Sequence, residues 1–129
     1  MSDEEKIVTN NVSEEIEELI EKCIKCGMCK SICPVYHEIF EETISPRGKV
    51  LLLKNKVYDS LFYNCALCKA CEQKCPAKIK LCEAFKKARQ VLIDNKKETE
   101  VNKKMIKNIR EVGNPLGKEP EKAKDLFCC

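Results

Sequence analysis

The chain has 129 residues, of which 35% are charged, 5% aromatic and none tryptophan, so one domain with a small apolar core is expected, held together only in part by burial. The formal charge is +3 with the cysteines counted as neutral thiols, and the basic runs Lys86-Lys87 and Lys103-Lys104 lack interleaved aromatic residues, which argues against a nucleic-acid surface. No stretch approaches the roughly 20 apolar residues of a membrane span, and the acidic start Met-Ser-Asp-Glu-Glu-Lys has no apolar leader core, so a cytoplasmic protein with no direct membrane insertion is expected.

Residues 1–12 read as a polar N-terminal tail. Ser13 is the expected N-cap of a first helix: Glu14, Glu15, Glu17 and Glu18 fill its first turns, where the helix dipole favours negative charge, and Ile16, Leu19, Ile20 and Cys23 line one face. That helix delivers the chain to Cys23, Cys26, Cys29 and Cys33, followed by Pro34, a C-x2-C-x2-C-x3-C-P phrase. Gly27 lies inside it, where a missing side chain lets backbone approach a bound group closely. Pro34 is placed to start a short helix with Val35, Tyr36, Ile39 and Phe40 facing inward. Ser45-Pro46-Arg47-Gly48-Lys49 starts another, with Ser45 as N-cap and Val50, Leu53 and Val57 on one face.

Tyr58, Leu61, Phe62 and Cys65 continue a helical spacing into Cys65, Cys68, Cys71 and Cys75 followed by Pro76, which repeats the first phrase without insertion. Lys69 and Ala70 stand in the second phrase where the first has Gly27 and Met28, so the second loop is expected slightly farther from what it binds. From Ile79 to Asp94, Leu81, Phe85, Ala88 and Leu92 give a helical stripe with Lys and Arg opposite. A last helix is expected from Glu98 to Val112, with Val101, Met105, Ile109 and Val112 on one face, ending at Gly113 with Pro115 beyond. The domain is therefore expected over residues 13–112, with residues 113–129 as a C-terminal tail.

Eight cysteines in two such phrases are the ligand set of two 4Fe-4S clusters. In two-cluster ferredoxins the cysteine before the proline ligates the other cluster. That rule assigns Cys23, Cys26, Cys29 and Cys75 to cluster 1 and Cys33, Cys65, Cys68 and Cys71 to cluster 2. Motifs crossed in this way cannot fold separately, and metal coordination then supplies much of the folding free energy. A zinc ribbon takes two C-x2-C pairs per closed site and has no use for the third cysteine or the Cys-Pro. A disulfide scaffold needs an oxidising compartment. Eight ligating thiolates and two oxidised clusters bring the formal charge to roughly −1, since bound thiols are deprotonated.

Cys82 reads either as a small buried hydrophobe near a cluster or as a redox-active or alternative ligand thiol. Cys128 and Cys129 end the chain, where a tail offers no preorganised ligands. His37 is the sole histidine, one short of a Rieske centre. Catalysis by this chain alone is not expected, because no Ser/His pair, carboxylate pair or phosphate-cradling glycine loop is present. Arg47 and Lys49 are either helix-surface charges or cations beside a cluster, where they would raise its reduction potential.

With both motifs, the helical linker and Ser45-Pro46-Arg47-Gly48-Lys49, residues 13–117 resemble a family of two-cluster electron-transfer modules. That family includes the C subunit of heterodisulfide reductase and the iron-sulfur parts of glycolate, lactate and anaerobic glycerol-3-phosphate dehydrogenases. More distant members are the iron-sulfur subunits of succinate dehydrogenase and fumarate reductase. The resemblance implies an all-α, α-helical ferredoxin fold binding two 4Fe-4S clusters, and an electron relay between a flavin or ferredoxin donor and a catalytic partner. The short form looks most like the C subunit of heterodisulfide reductase, which implies a flavin-containing subunit and a cysteine-rich catalytic subunit as partners. The alternatives are the iron-sulfur subunit of a 2-hydroxyacid or anaerobic glycerol-3-phosphate dehydrogenase and, from another class, a metal-stabilised interaction module. In larger relatives a segment like Gly113-Asn114-Pro115-Leu116-Gly117 precedes a cysteine-rich domain, which is expected here either to come from another polypeptide or to be absent.

Overall fold

The computed structural model describes residues 3–119; Cys128 and Cys129 lie outside them. The described residues form an all-α fold without strands: α1 (Asp3–Ile20), α2 (Pro34–Ile39), α3 (Pro46–Lys54), α4 (Ala70–Lys74), α5 (Leu81–Asp94) and α6 (Glu100–Val112), with 3-10 turns at Met28–Ile32, Glu42–Ile44 and Ser60–Asn64. No helix among them is long and apolar enough to cross a membrane.

α1 starts ten residues before the expected cap at Ser13. No Gly or Pro interrupts residues 3–12, and Val12 extends the Ile16 and Ile20 stripe one turn backwards, so nothing forces a start at Ser13. Ser13 instead turns its hydroxyl to the Tyr58 hydroxyl, 3.0 Å away. α1 lies along α5, and α3 packs against both. Val12, Ile16 and Ile20 meet Val50 and Leu53 of α3 and Leu81, Ala84, Phe85, Ala88, Val91 and Leu92 of α5, with Phe62 completing the core. Each large side chain removed from water here stabilises the fold by about 1.5–3 kcal/mol.

Ser45 caps α3 as expected, its hydroxyl accepting from the Gly48 amide at 2.9 Å, with Pro46 at the first helical position. Gly48 is dictated by packing: a Cβ there would lie 1.8 Å from the Glu42 carbonyl oxygen. The 3-10 turn at Glu42–Ile44 therefore lies directly on the helix.

Three expected apolar faces are placed differently. α2 forms from Pro34, but Ile39 and Phe40 are exposed, Phe40 at 70%. The six-residue helix ends at Phe40 in the left-handed region with φ 57°, and that cap turns the ring outward. Val57 lies past the end of α3 and is also exposed. α6 starts at Glu100 behind a Thr99 cap that accepts from the Asn102 amide at 3.3 Å, and it buries none of its residues. Periodicity fixes an apolar stripe; it does not provide a neighbour to cover it.

The approach to the second motif is a 3-10 turn, Ser60–Asn64, and not a continuous α-helix. Arg89 of α5 explains its shape. The guanidinium donates to the carbonyls of Phe62 at 3.0 Å and Cys65 at 2.5 Å, satisfying backbone that an α-helix would have paired internally.

Candidate metal centre

The two cysteine phrases fold into matching loops. In the first, Lys25 and Gly27 take left-handed backbone with φ 60° and 77°; in the second, Leu67 and Lys69 take it with φ 53° and 62°. Lys69 thus reaches the left-handed conformation that Gly27 reaches. Left-handed backbone costs a non-glycine residue on the order of 1–2 kcal/mol, which the surrounding fold offsets. The first loop runs into the Met28–Ile32 turn, the second into α4, and these two pieces pack against each other.

This packing encloses two cavities. One cavity, with about 400 Å³ of atom-free space partly open to solvent, is lined by Cys23, Cys26, Cys29 and Cys75. A second, with about 370 Å³, is lined by Cys33, Cys65, Cys68 and Cys71, with Cys82 of α5 beside them. Each therefore gathers three thiols from one phrase and the fourth from the other. Cys26 and Cys68 are exposed, Cys71 is buried and the other five are half-buried. Among the described residues no group of three or more His, Cys, Asp or Glu side chains is arranged to hold a single metal ion; the thiols line the two cavities.

Burial pushes the Cys29 thiol up to about 11, with Cys23, Cys26 and Cys75 adding to the rise. Burial, followed by Cys82 and Cys65, drives Cys71 the same way. Without metal these thiols are neutral, and a bound cation is what makes four thiolates tolerable in one place. Backbone donors also face the sulfurs: the Leu67 amide lies 3.4 Å from Cys65 Sγ. Donor set, shape and hydrogen bonding all fit a 4Fe-4S cluster in each cavity.

A different cation stands at each cavity. Arg47 lines the first and lies against Gly27, where a Cβ would come within 2.8 Å of Arg47 Nη1. Its Nε donates to Glu42 Oε1 at 2.8 Å, and Lys30 pairs with the other carboxylate oxygen. Arg47, then Lys30, hold the Glu42 carboxyl down at about 2. Lys49 lines the second cavity and is only 2% exposed. Its Nζ donates to the Ile44 carbonyl at 2.8 Å and lies 5.9 Å from the centre of the Phe85 ring. Burial lowers its pKa, and the nearby Cys65 and Cys33 side chains act in the opposite direction. Neither residue is a plain helix-surface charge.

The roles of Glu42 and Arg89 were not visible in the sequence. Glu42 belongs to no motif, and Arg89 falls among the basic residues assigned to the outer face of α5. The one signal for Arg89 is its position one residue after the buried Ala88.

Two adjacent cavities, lined by four thiols and by five and each drawing on both halves of the chain, fit a dicluster iron-sulfur domain. Residues 19–79 match the family model of the 4Fe-4S dicluster domain, in keeping with a chain that holds two 4Fe-4S clusters. Curated relatives include the "Probable glycolate oxidase iron-sulfur subunit" of Bacillus subtilis (strain 168), 34% identical over 108 residues, which cover 74% of this chain and 24% of the relative. "Lactate utilization protein B" of Oceanobacillus iheyensis is 33% identical over 92 residues, covering 65% of this chain and 19% of the relative. The same-named protein of an Exiguobacterium strain is 37% identical over 86 residues, covering 60% and 18%. The chain thus spans about a quarter or less of the length of these relatives.

Proposed function

We propose that the chain is the electron-relay module of a complex that oxidises a 2-hydroxyacid of the glycolate or lactate type. The observation that carries the relay is the pair of neighbouring thiol-lined cavities. Bound there, 4Fe-4S clusters supply one-electron redox chemistry. Cys23, Cys26, Cys29 and Cys75 are the proposed ligands of the first cluster, and Cys33, Cys65, Cys68 and Cys71 those of the second. Cys29 and Cys71 lie near enough for the charge of one to raise the pKa of the other, so the two ligand sets meet at the middle of the relay. Cys26 and Cys68, the exposed members of each set, mark where a donor and an acceptor approach. Gly27 gives the first loop its close passage, while Arg47 and Lys49 stabilise added negative charge.

The 2-hydroxyacid reading is supported by the glycolate oxidase and lactate utilization relatives. Its partners would be a flavin-containing dehydrogenase subunit and a cysteine-rich subunit. The heterodisulfide reductase reading rests on motifs that both branches share and ranks second. A purely structural metal module ranks third. The proposed domain runs through Val112, and the proposed location is the cytoplasm.

The test is anaerobic purification, iron and sulfide counting, and an EPR spectrum after dithionite reduction. About eight iron and eight sulfide per chain with two interacting reducible centres are expected. Zinc, or iron that never reduces, overturns the relay. Co-purification with a flavin oxidase-like subunit and reduction by glycolate or lactate support the 2-hydroxyacid branch; a disulfide-reducing partner overturns it.

A further inference from the structure

The second cavity contains a thiol that its ligand set does not use. Cys82 lines it together with Cys33, Cys65, Cys68 and Cys71, and is 1% exposed. Its sulfur meets that of Cys71 and takes a backbone hydrogen bond from Lys69 in the loop that precedes Cys71. Its own amide donates to Glu72 Oε1 at 2.8 Å. Glu72 follows Cys71 on α4, so the start of α5 is tied to the short helix that carries Cys71. The first cavity has no counterpart: where α5 and its approach reach that space they present Ile79 and Leu81.

We propose that Cys82 is a reserve ligand of the second cluster, able to take the iron that Cys71 holds when Cys71 is lost or chemically blocked. The proposal rests on the ligand assignment given above. Three features of the site favour the exchange. The replacement sulfur starts beside the one it replaces. The tether through Glu72 does not depend on the Cys71 side chain, so it persists when that side chain is truncated. Cys82 is the second residue of α5, in the first turn, where amides lack intrahelical partners and the backbone adjusts at least expense. In the exchange an iron–sulfur bond forms at Cys82 Sγ, the bond to the Cys71 sulfur is absent or broken, the Cys82 thiol proton leaves to water, and no electron is transferred. Cys68 differs: it is exposed, away from the buried pair of Cys71 and Cys82, and its loss is expected to leave a vacant iron.

The test compares Cys71→Ala, Cys68→Ala, Cys82→Ala and the Cys71→Ala/Cys82→Ala pair, each purified anaerobically. Iron and sulfide are counted, and alkylation followed by mass spectrometry maps which thiols are protected. Wild type and Cys82→Ala are expected to hold about eight iron per chain, and Cys71→Ala the same, with Cys82 protected from alkylation. Cys68→Ala and the double variant are expected to fall to about four. Loss of iron in Cys71→Ala equal to that in Cys68→Ala, whether through an empty site or a chain that no longer folds, overturns the proposal. So does loss of iron in Cys82→Ala alone, which would make Cys82 an ordinary part of the site. A wild type without eight iron would defeat the cluster reading itself, a result distinct from either.

Discussion

Lys25 and Gly27 at the first cavity, and Leu67 and Lys69 at the second, repeat one backbone course, yet the surroundings of the two cavities are unlike. The first has an arginine at its edge, half-exposed and shared with Glu42. The second has a fully buried lysine, a fifth thiol and the Phe85 ring. Duplicated spacing sets where thiols go, while the flanking helices set the charge and hydrogen bonding each group of four experiences. Two sites of identical ligand chemistry can thus hold different potentials, which gives electrons a preferred direction.

The largest expected effect tests the crossing on which the comparison depends. Cys75→Ala should empty the first cavity although Cys75 belongs to the second phrase, and Cys33→Ala should empty the second. Each variant should retain about four iron, with the intact set of thiols protected from alkylation. Protection following sequence order instead would dissolve the pairing.

Gly48→Ala should come next, because its Cβ meets the Glu42 carbonyl at 1.8 Å and only backbone displacement relieves that contact. A loss of about 3 kcal/mol or more is expected in denaturant unfolding, with Arg47 and Lys49 displaced together. A stability within about 1 kcal/mol of wild type would show that the turn moves freely.

Lys49→Met and Arg47→Ala separate the two cations. Both should lower a reduction potential, by tens of millivolts, and the buried lysine should have the larger effect because its field is less screened. Redox titration followed by EPR reads which of the two centres moves; a reversed order would locate the stronger field at the surface.

The loops can be exchanged in character. Gly27→Ala forces an L side chain into φ 77° against Arg47 and should cost about 1–2 kcal/mol, whereas Lys69→Gly should stabilise the second loop by up to about 1 kcal/mol. Thermal unfolding of both variants checks the sign.

The smallest effect concerns Glu42, whose folded pKa of about 2 lies below its ordinary value of 4.5. Its contribution is full above pH 4.5 and fades as pH falls toward 2. With 41% of the side chain exposed, that contribution is limited to about 0.5 kcal/mol. Glu42→Gln should therefore be less stable than wild type at pH 7, and the gap should narrow from pH 5 to pH 3 in paired unfolding curves.

Much of this was readable in the residues. The cysteine spacing agrees with how thiols from both phrases line each cavity, because three ligands at i, i+3 and i+6 leave the fourth pointing elsewhere. Ser45-Pro46 foretold the start of α3, because cap and first-turn chemistry are local. What remained hidden depends on neighbours distant in sequence. Lys69 bears no mark of a left-handed residue, since glycine is the usual sign. Lys49 looks like any helix lysine until Ile44, Phe85 and the second cavity close around it. The early start of α1 was hidden for the opposite reason: Ser13 and four nearby glutamates compose a convincing start signal, and the helix runs through it.

Lys49 also bears on how the cell can tell a finished molecule from an unfinished one. With the second cavity filled, its ammonium faces ligated thiolates and a net negative group. With the cavity empty, the same ammonium sits among neutral thiols with the Ile44 carbonyl as its hydrogen-bond acceptor, a burial that weighs heavily against the fold. Filling the cavity is therefore expected to steady the fold around Lys49, so resistance to proteases should rise with metal loading.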